Sequence, residues 1–221
     1  MSKDQKLAVS RRTSTSTKSR KRKRDKPTFI ETVRQKQLLE ISLDLFRKQG
    51  IDNTSLAEIA KVAGVSNGVV SYHFESKKQL GEEVLRHLLR QYSHYLQDRL
   101  ASKSNALDKL NEFLTATLAY SKQHREDYFV YMNTLGCYAT QDERAEFIRW
   151  ANDSLRNMLV DIIKTGQQRG EIARVPAKHL ADLLQATTDG LMDLGLKSED
   201  KVDIDACRKL FQRMLKPLTA P

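Results

Sequence analysis

The chain of 221 residues is 39% apolar, enough to bury a core in one or two domains, and it carries a formal charge of +10. The charge is lopsided: residues 1–26 hold a net +9, residues 27–80 a net +1, and residues 81–221 balance to zero. A polyanion, nucleic acid or an anionic membrane surface, should therefore meet the N-terminal end, while two cysteines, Cys137 and Cys207, exclude a disulfide framework or a metal knuckle.

Residues 1–27 read as a disordered basic arm, rich in serine and threonine over 10–19 and then running Arg20-Lys21-Arg22-Lys23-Arg24. Such a run is a solvated tail, a nuclear-import signal by composition, or an arm that seeks phosphates and adds counterion-release affinity to a neighbouring DNA-binding unit. Leu7, Ala8 and Val9 are too few for a secretory signal, and the longest uncharged stretch, residues 128–141, is too short and polar to span a membrane. A cytoplasmic protein with no membrane partner is expected, its two cysteines packed as core thiols.

No proline falls between Thr28 and Val175, so the body should be all-α. Thr28 with Glu31, Ser55 with Glu58, and Ser76 with Gln79 fit the capping box, in which a hydroxyl takes an orphan amide of the first turn and the longer side chain reaches back. Gly50 and Gly64 supply the stops. Helix one is predicted over about 29–49, helix two over about 56–63, and helix three over about 66–74. A long fourth helix leaves Ser76, carrying Leu80, Val84, Leu85, Leu88, Leu89, Tyr92 and Leu96. The helical period continues through residues 107–118, 128–138, 147–163, 180–194 and 207–218, giving about nine helices and no strand.

Helices two and three are joined by Ala63-Gly64-Val65-Ser66, the spacing of a helix-turn-helix: the glycine permits the turn, Val65 fills the angle, and Ser66 caps the second helix. Around it stand Leu45-Phe46 and Gly50, Thr54-Ser55-Leu56, Ile59-Ala60, then Tyr72-His73-Phe74 with Lys77 and Leu80. On these residues the stretch from about 30 to 80 resembles the TetR family of bacterial transcription regulators; the rest of the chain resembles it only in helix number and length.

The reading helix can be argued without the resemblance. Val70 and Phe74 should pack against Phe46, Ile59 and Leu80, which leaves Asn67, Gly68, Ser71 and Tyr72 on the opposite side, free to enter a major groove. Asn67 can donate to and accept from a base edge, Val69 can touch a thymine methyl, and Gly68 lets the backbone approach. The resemblance implies phosphate contacts from Ser55, Tyr72, His73 and Lys77, and Ser66 joins the set at the start of helix three. Each is otherwise a solvent-facing residue, and His73 otherwise a structural imidazole beside Phe74. The chain departs from the family pattern in having no Arg or Lys on helix three and Ala57 on helix two, so affinity should lean on Lys77, Lys78, Arg34, Lys36 and the arm.

The resemblance further implies a C-terminal bundle that forms a homodimer through its last two helices, with Leu183, Ala186, Thr187, Gly190, Leu210, Phe211 and Met214 at the interface; the alternative is that both helices pack only on their own bundle. It also implies a small-molecule effector among helices four to eight, for which Tyr92, Phe113, Thr117, Tyr131, Met132, Trp150 and Asn152 are candidates, although such residues at helical spacing are as readily ordinary core. No like-sign cluster on a core face indicates the effector's charge. Catalytic motifs, metal-ligand spacings and cofactor-binding loops are missing from the sequence. The expectation is thus an arm over 1–27, a three-helix DNA-binding domain over 28–75 and a ligand-binding and dimerisation domain over 76–221. The protein should be a sequence-specific regulator of double-stranded DNA, a repressor released from a palindromic operator by its ligand. Alternatives are an activator, a regulator whose ligand promotes binding, or a non-specific DNA-architecture protein.

Overall fold

The computed structural model describes residues 28–138, 140–197 and 203–218; the basic arm lies outside the described residues. Among them run nine α-helices and no strand: α1 (Phe29–Gln49), α2 (Leu56–Val62), α3 (Asn67–His73), α4 (Lys77–Ala101), α5 (Ala106–Gln123), α6 (Arg125–Thr134), α7 (Gln141–Gln168), α8 (Ala177–Lys197) and α9 (Ile204–Leu215). Short 3-10 turns follow α6 at Leu135–Cys137 and α9 at Lys216–Leu218.

The helix starts obey local chemistry with two adjustments. Thr28 and Glu31 form the full reciprocal box, Glu31 N to Thr28 Oγ1 at 3.3 Å and Thr28 N to Glu31 Oε2 at 2.6 Å. Ser55 accepts from Glu58 N at 3.1 Å, but the Glu58 carboxylate takes Gln49 Nε2 instead of returning to Ser55. Ser76 accepts from Gln79 N, and Gln79 Oε1 reaches one residue further back, to Glu75 N at 2.6 Å. Asn105, Thr140 and Asp203 cap α5, α7 and α9 in the same way.

Two hydrophobic cores share one helix. The first gathers Leu38, Leu43 and Phe46 of α1, Ile59 of α2, Val70 of α3, the adjoining Phe74, and Leu80, Val84 and Leu88 of α4, with Val130 of α6. The second gathers Leu96 and Leu100 from the far half of α4 with Leu110 and Leu114 of α5, Leu159 and Ile163 of α7, Leu184 of α8 and Phe211 of α9. Each fully buried leucine or phenylalanine contributes about 1.5–3 kcal/mol. The first core runs without a break across the 75/76 junction, and α4, about 37 Å long, ties the two ends of the molecule together. Cys137 and Cys207 are both half-buried, Cys137 at the margin of the first core, and neither is a buried core thiol.

Candidate nucleic-acid interface and internal cavity

The helix-turn-helix is set by its glycine and by two anchors. Gly64 adopts φ +65°, where a side chain would be strained, and Val65 N closes the turn on Ala60 O at 3.0 Å. Ser66 stands at the cap position of α3 in extended conformation, but its hydroxyl makes no capping bond, contrary to expectation. Val70 and Phe74 are wholly buried against α1, α2 and α4, which fixes the rotation of α3. Asn67, Gly68, Ser71 and Tyr72 consequently face outward; Val69 and His73 are half-buried.

Several side chains on this face are held by their neighbours. The Tyr72 hydroxyl donates to Glu31 Oε1 at 2.5 Å, and that bond, with those from Thr28, pulls the Glu31 carboxyl down to about 2. The His73 ring meets Tyr72 edge-on. Ser55 is exposed while its hydroxyl caps α2. Lys77 Nζ donates to Asp52 O at 2.9 Å, closing the α1–α2 loop onto α4. Lys78 pairs with Glu143 of α7 at 2.9 Å, Lys36 with Glu40 at 3.7 Å, and Arg34 donates to Gln37 at 2.7 Å. The basic residues expected to supply affinity thus have partners within the chain.

Behind this unit, helices α4 to α8 enclose a cavity of about 400 Å³ with a mostly apolar wall. Tyr92, Thr117, Tyr131, Met132 and Asn152 line it, with a hydrogen bond of 2.6 Å between the Tyr92 hydroxyl and Thr117 Oγ1. Phe113 does not: it is packed in the second core, on the inward stripe of α5 with Leu110 and Leu114. Nor does Trp150, because Phe147, Ala151 and Leu155 are the inward positions of α7, and the position before Ala151 turns out to solvent. There the indole lies 4.3 Å from the Arg86 guanidinium.

The cavity also holds groups that the sequence reading missed: Tyr120, His124, Asp127, Tyr128, Arg144, Asp189 and Asp193. Asp127 accepts from Arg47 Nε of α1 at 2.6 Å and lies 3.4 Å from His124. Asp193 is held below its usual range by Lys197 at 2.7 Å and by the Tyr128 hydroxyl. Burial pushes the Asp189 carboxyl up to about 6, against the hydrogen bond from Gln185, and pushes the phenols of Tyr92, Tyr128 and Tyr131 up as well. Three carboxylates around one cavity correct the expectation that no like-sign cluster lies on a core face. Asp189 had a sequence signal, since it continues the inward register of Ala181, Gln185 and Thr188 on α8. Arg47 with Asp127 had none, their separation of 80 residues leaving no local pattern.

On the outer side of the bundle, Leu183, Ala186, Thr187 and Gly190 of α8 are exposed, as are Leu210 and Met214 of α9. Phe211, expected beside them, turns inward and is 6% exposed in the second core.

Two family models match the two ends of this architecture. Residues 38–84, covering the first core and its helix-turn-helix, match that of bacterial regulatory proteins of the tetR family, and residues 106–220 match the C-terminal part of BetI-type transcriptional repressors. The chain belongs to the TetR family. This TetR protein is a DNA-binding transcriptional regulator. It is similar to the HTH-type transcriptional repressor KstR2 of Mycobacterium tuberculosis, 28% identical over 62% of this chain and 68% of that one. It is also similar to the HTH-type transcriptional regulator LuxR of Vibrio harveyi, 25% identical over 87% and 94%. The fold recurs in a transcriptional regulator from Saccharomonospora viridis in complex with choline, TM-score 0.70 at 23% identity over 86% and 99% of the two chains. It recurs too in FadR from Bacillus subtilis in complex with stearoyl-CoA, TM-score 0.67 at 19% over 81% and 96%. Among the described residues of the TetR protein, no helix is long and apolar enough to cross a membrane.

Proposed function

We propose that this TetR regulator is a cytoplasmic homodimeric repressor that acts by binding alone and leaves a palindromic operator when a small molecule fills the α4–α8 cavity. In this reading residues 28–75 meet the duplex, and residues 76–221 dimerise and take the effector. Asn67, Gly68 and Val69 read base edges; Ser55, Ser66, Ser71, Tyr72, His73 and Lys77 position the protein on phosphates. The exposed stripe of Leu183, Ala186, Thr187, Gly190, Leu210 and Met214 is the two-fold contact. Tyr92, Thr117, Tyr131, Met132 and Asn152 surround the effector.

The observation that carries the reading is the orientation of α3. Its apolar side is locked by two fully buried anchors, so the polar side, with Asn67, Gly68, Ser71 and Tyr72 exposed and Tyr72 bonded to Glu31, is presented to solvent. The effector enters through a second support: Asp127 is at once a wall of the cavity and the carboxylate that grips Arg47 of α1, so displacing it disturbs the reading unit. Two neighbours of the same fold were solved in complex with small molecules, one with choline and one with stearoyl-CoA, which supports a ligand for this one.

Sequencing the genomic fragments that the protein retains, followed by binding to matched and scrambled duplexes, tests this. A palindromic consensus with a large affinity ratio is expected, together with raised transcription of the adjoining gene when the protein is deleted. Equal affinities would reduce it to a non-specific DNA-architecture protein, and lowered transcription on deletion would make it an activator.

A further inference from the structure

The wall of the α4–α8 cavity has a distinct charge pattern. Asp127 is neutralised by Arg47 and flanked by His124, and Asp193 is neutralised by Lys197. Asp189 has a hydrogen bond from Gln185, one turn back on α8, and forms no ion pair among the described residues. The one guanidinium on the wall, Arg144, belongs to an exposed residue. A ligand entering here meets an unneutralised carboxylate and, behind it, no matching cationic centre.

The aromatic lining points the same way. Tyr92 of α4, Tyr120 of α5, and Tyr128 and Tyr131 of α6 contribute rings from three helices around the carboxylate on a fourth. Ring faces carry negative quadrupole charge and attract cations, the more so when water is excluded. A metal ion would need several free oxygen ligands, whereas Asp127 and Asp193 are already paired. Beyond the groups named above, the wall is leucine, isoleucine, alanine and methionine, with only Thr117, Ser121 and Asn152 as further polar side chains. The volume of about 400 Å³ falls within the range of small-molecule sites, far above that of a bare ammonium.

We propose that the cavity takes a small organic cation, an ammonium group attached to an apolar body, whose charge pairs with the Asp189 carboxylate among the rings of Tyr92, Tyr128 and Tyr131. The identification deepens the reading of this cavity as the effector site and rests on it for its regulatory meaning. An anionic ligand such as a fatty acid would bring its own carboxylate towards Asp189, with only the exposed Arg144 on the wall to compensate. A neutral ligand would leave the half-buried Asp189 carboxylate with its Gln185 hydrogen bond but no counter-charge, and so gains less than the cation.

Calorimetric titration of the full-length protein with three probes decides it: benzyltrimethylammonium, its uncharged isostere neopentylbenzene, and octanoate. The cation should bind at least about tenfold more tightly than the isostere, a difference of about 1.4 kcal/mol, and octanoate should not bind. Asp189→Asn should remove that preference by weakening the cation while neopentylbenzene binds as tightly or more tightly, and Tyr131→Leu should weaken the cation more than the isostere. Equal or better binding of the neutral or anionic probe, no binding of the cation, or an Asp189→Asn protein that binds the cation as before would each overturn the proposal. Operator release separates the two readings. A cation that binds without releasing DNA removes the effector role and leaves the ligand class; release by octanoate with indifference to the cation does the reverse.

Discussion

Asn67 is exposed at the first position of α3, and it is the one residue on that helix with a side-chain amide, whose adjacent oxygen and nitrogen can accept and donate together at a base edge. Asn67→Ala should cost about 1–3 kcal/mol at one base position of the operator and nothing elsewhere, measured by binding to single-base variants. Unchanged affinity and consensus would remove it from the reading set. Asn67 was legible in the sequence because its neighbours at three and seven positions, Val70 and Phe74, are apolar and could only be the buried side. Asp189 was harder to see, since its burial depends on tyrosines contributed by α4 and α6. Its consequence can be tested by pH. The carboxyl titrates near 6 in the fold and near 3.8 when unfolded, so its neutral form is the one the fold favours. Its contribution to stability is fully present below 3.8 and is lost as pH rises through 6. Asn is neutral throughout. Asp189→Asn in the ligand-free protein should therefore be more stable than the parent at pH 8 by about 1–3 kcal/mol, with the gap closing below pH 4, as read by thermal unfolding. The groups facing it, Tyr92 from α4, Tyr128 and Tyr131 from α6, Arg144 from α7, Asp193 on α8, and His124 with Asp127, are the same in both proteins. A gap that does not change with pH would assign the effect to packing.

Among the helices, α4 does the joining, and it comes close to its neighbours at Gly81. A Cβ placed there would come within 2.8 Å of Ile51 Cδ1 and 3.0 Å of Thr134 Cγ2, so the α1–α2 loop, α4 and α6 meet where any larger residue makes those two side chains shift. Gly81→Ala should destabilise the protein by about 1–3 kcal/mol by forcing these elements apart, measured by chemical denaturation. Beside this contact, the Arg47–Asp127 pair binds α1 to α6, with the Asp127 side chain 8% exposed. Arg47→Met leaves that carboxylate with His124 alone and should cost about 3–5 kcal/mol, whereas the double change Arg47→Met with Asp127→Leu should recover most of the loss. A double variant as unstable as the single would show that the pair contributes through packing of the arginine stem. Sequence periodicity located all of these helices but not their rotations. Phe113, Trp150 and Phe211 each lie on an amphipathic stripe, and an apolar stripe does not say which of two adjacent large residues faces the cavity, the core or a second chain. Capping residues are local in sequence and were legible; the facing of a stripe is decided by the helix across from it, which sequence spacing does not name.

For the molecule as a whole, two features of opposite kind would govern how it meets DNA under the proposed function. One is the outer face of α8 and α9, where Leu183 is 67% exposed, Met214 66% and Leu210 58%. A two-fold contact there would set the spacing of two α3 helices, and a palindromic site demands that spacing. Leu183→Glu with Met214→Glu should leave the fold intact, since neither side chain belongs to a core, while sedimentation shows a monomer of 25.4 kDa that no longer selects the palindrome. The other feature is the charge of residues 1–26, a net +9 against a body that is nearly neutral. Cations on such a segment release counterions from the duplex whatever its sequence, and each phosphate neutralised steepens the fall of affinity with salt by about 0.9 in the logarithmic slope. Deleting residues 1–26 should therefore flatten the salt dependence and weaken matched and scrambled duplexes by the same factor, leaving the preferred sequence as it was. The ratio between the two duplexes belongs to α3, so a deletion that changed the consensus would mean that the arm reads bases as well as phosphates.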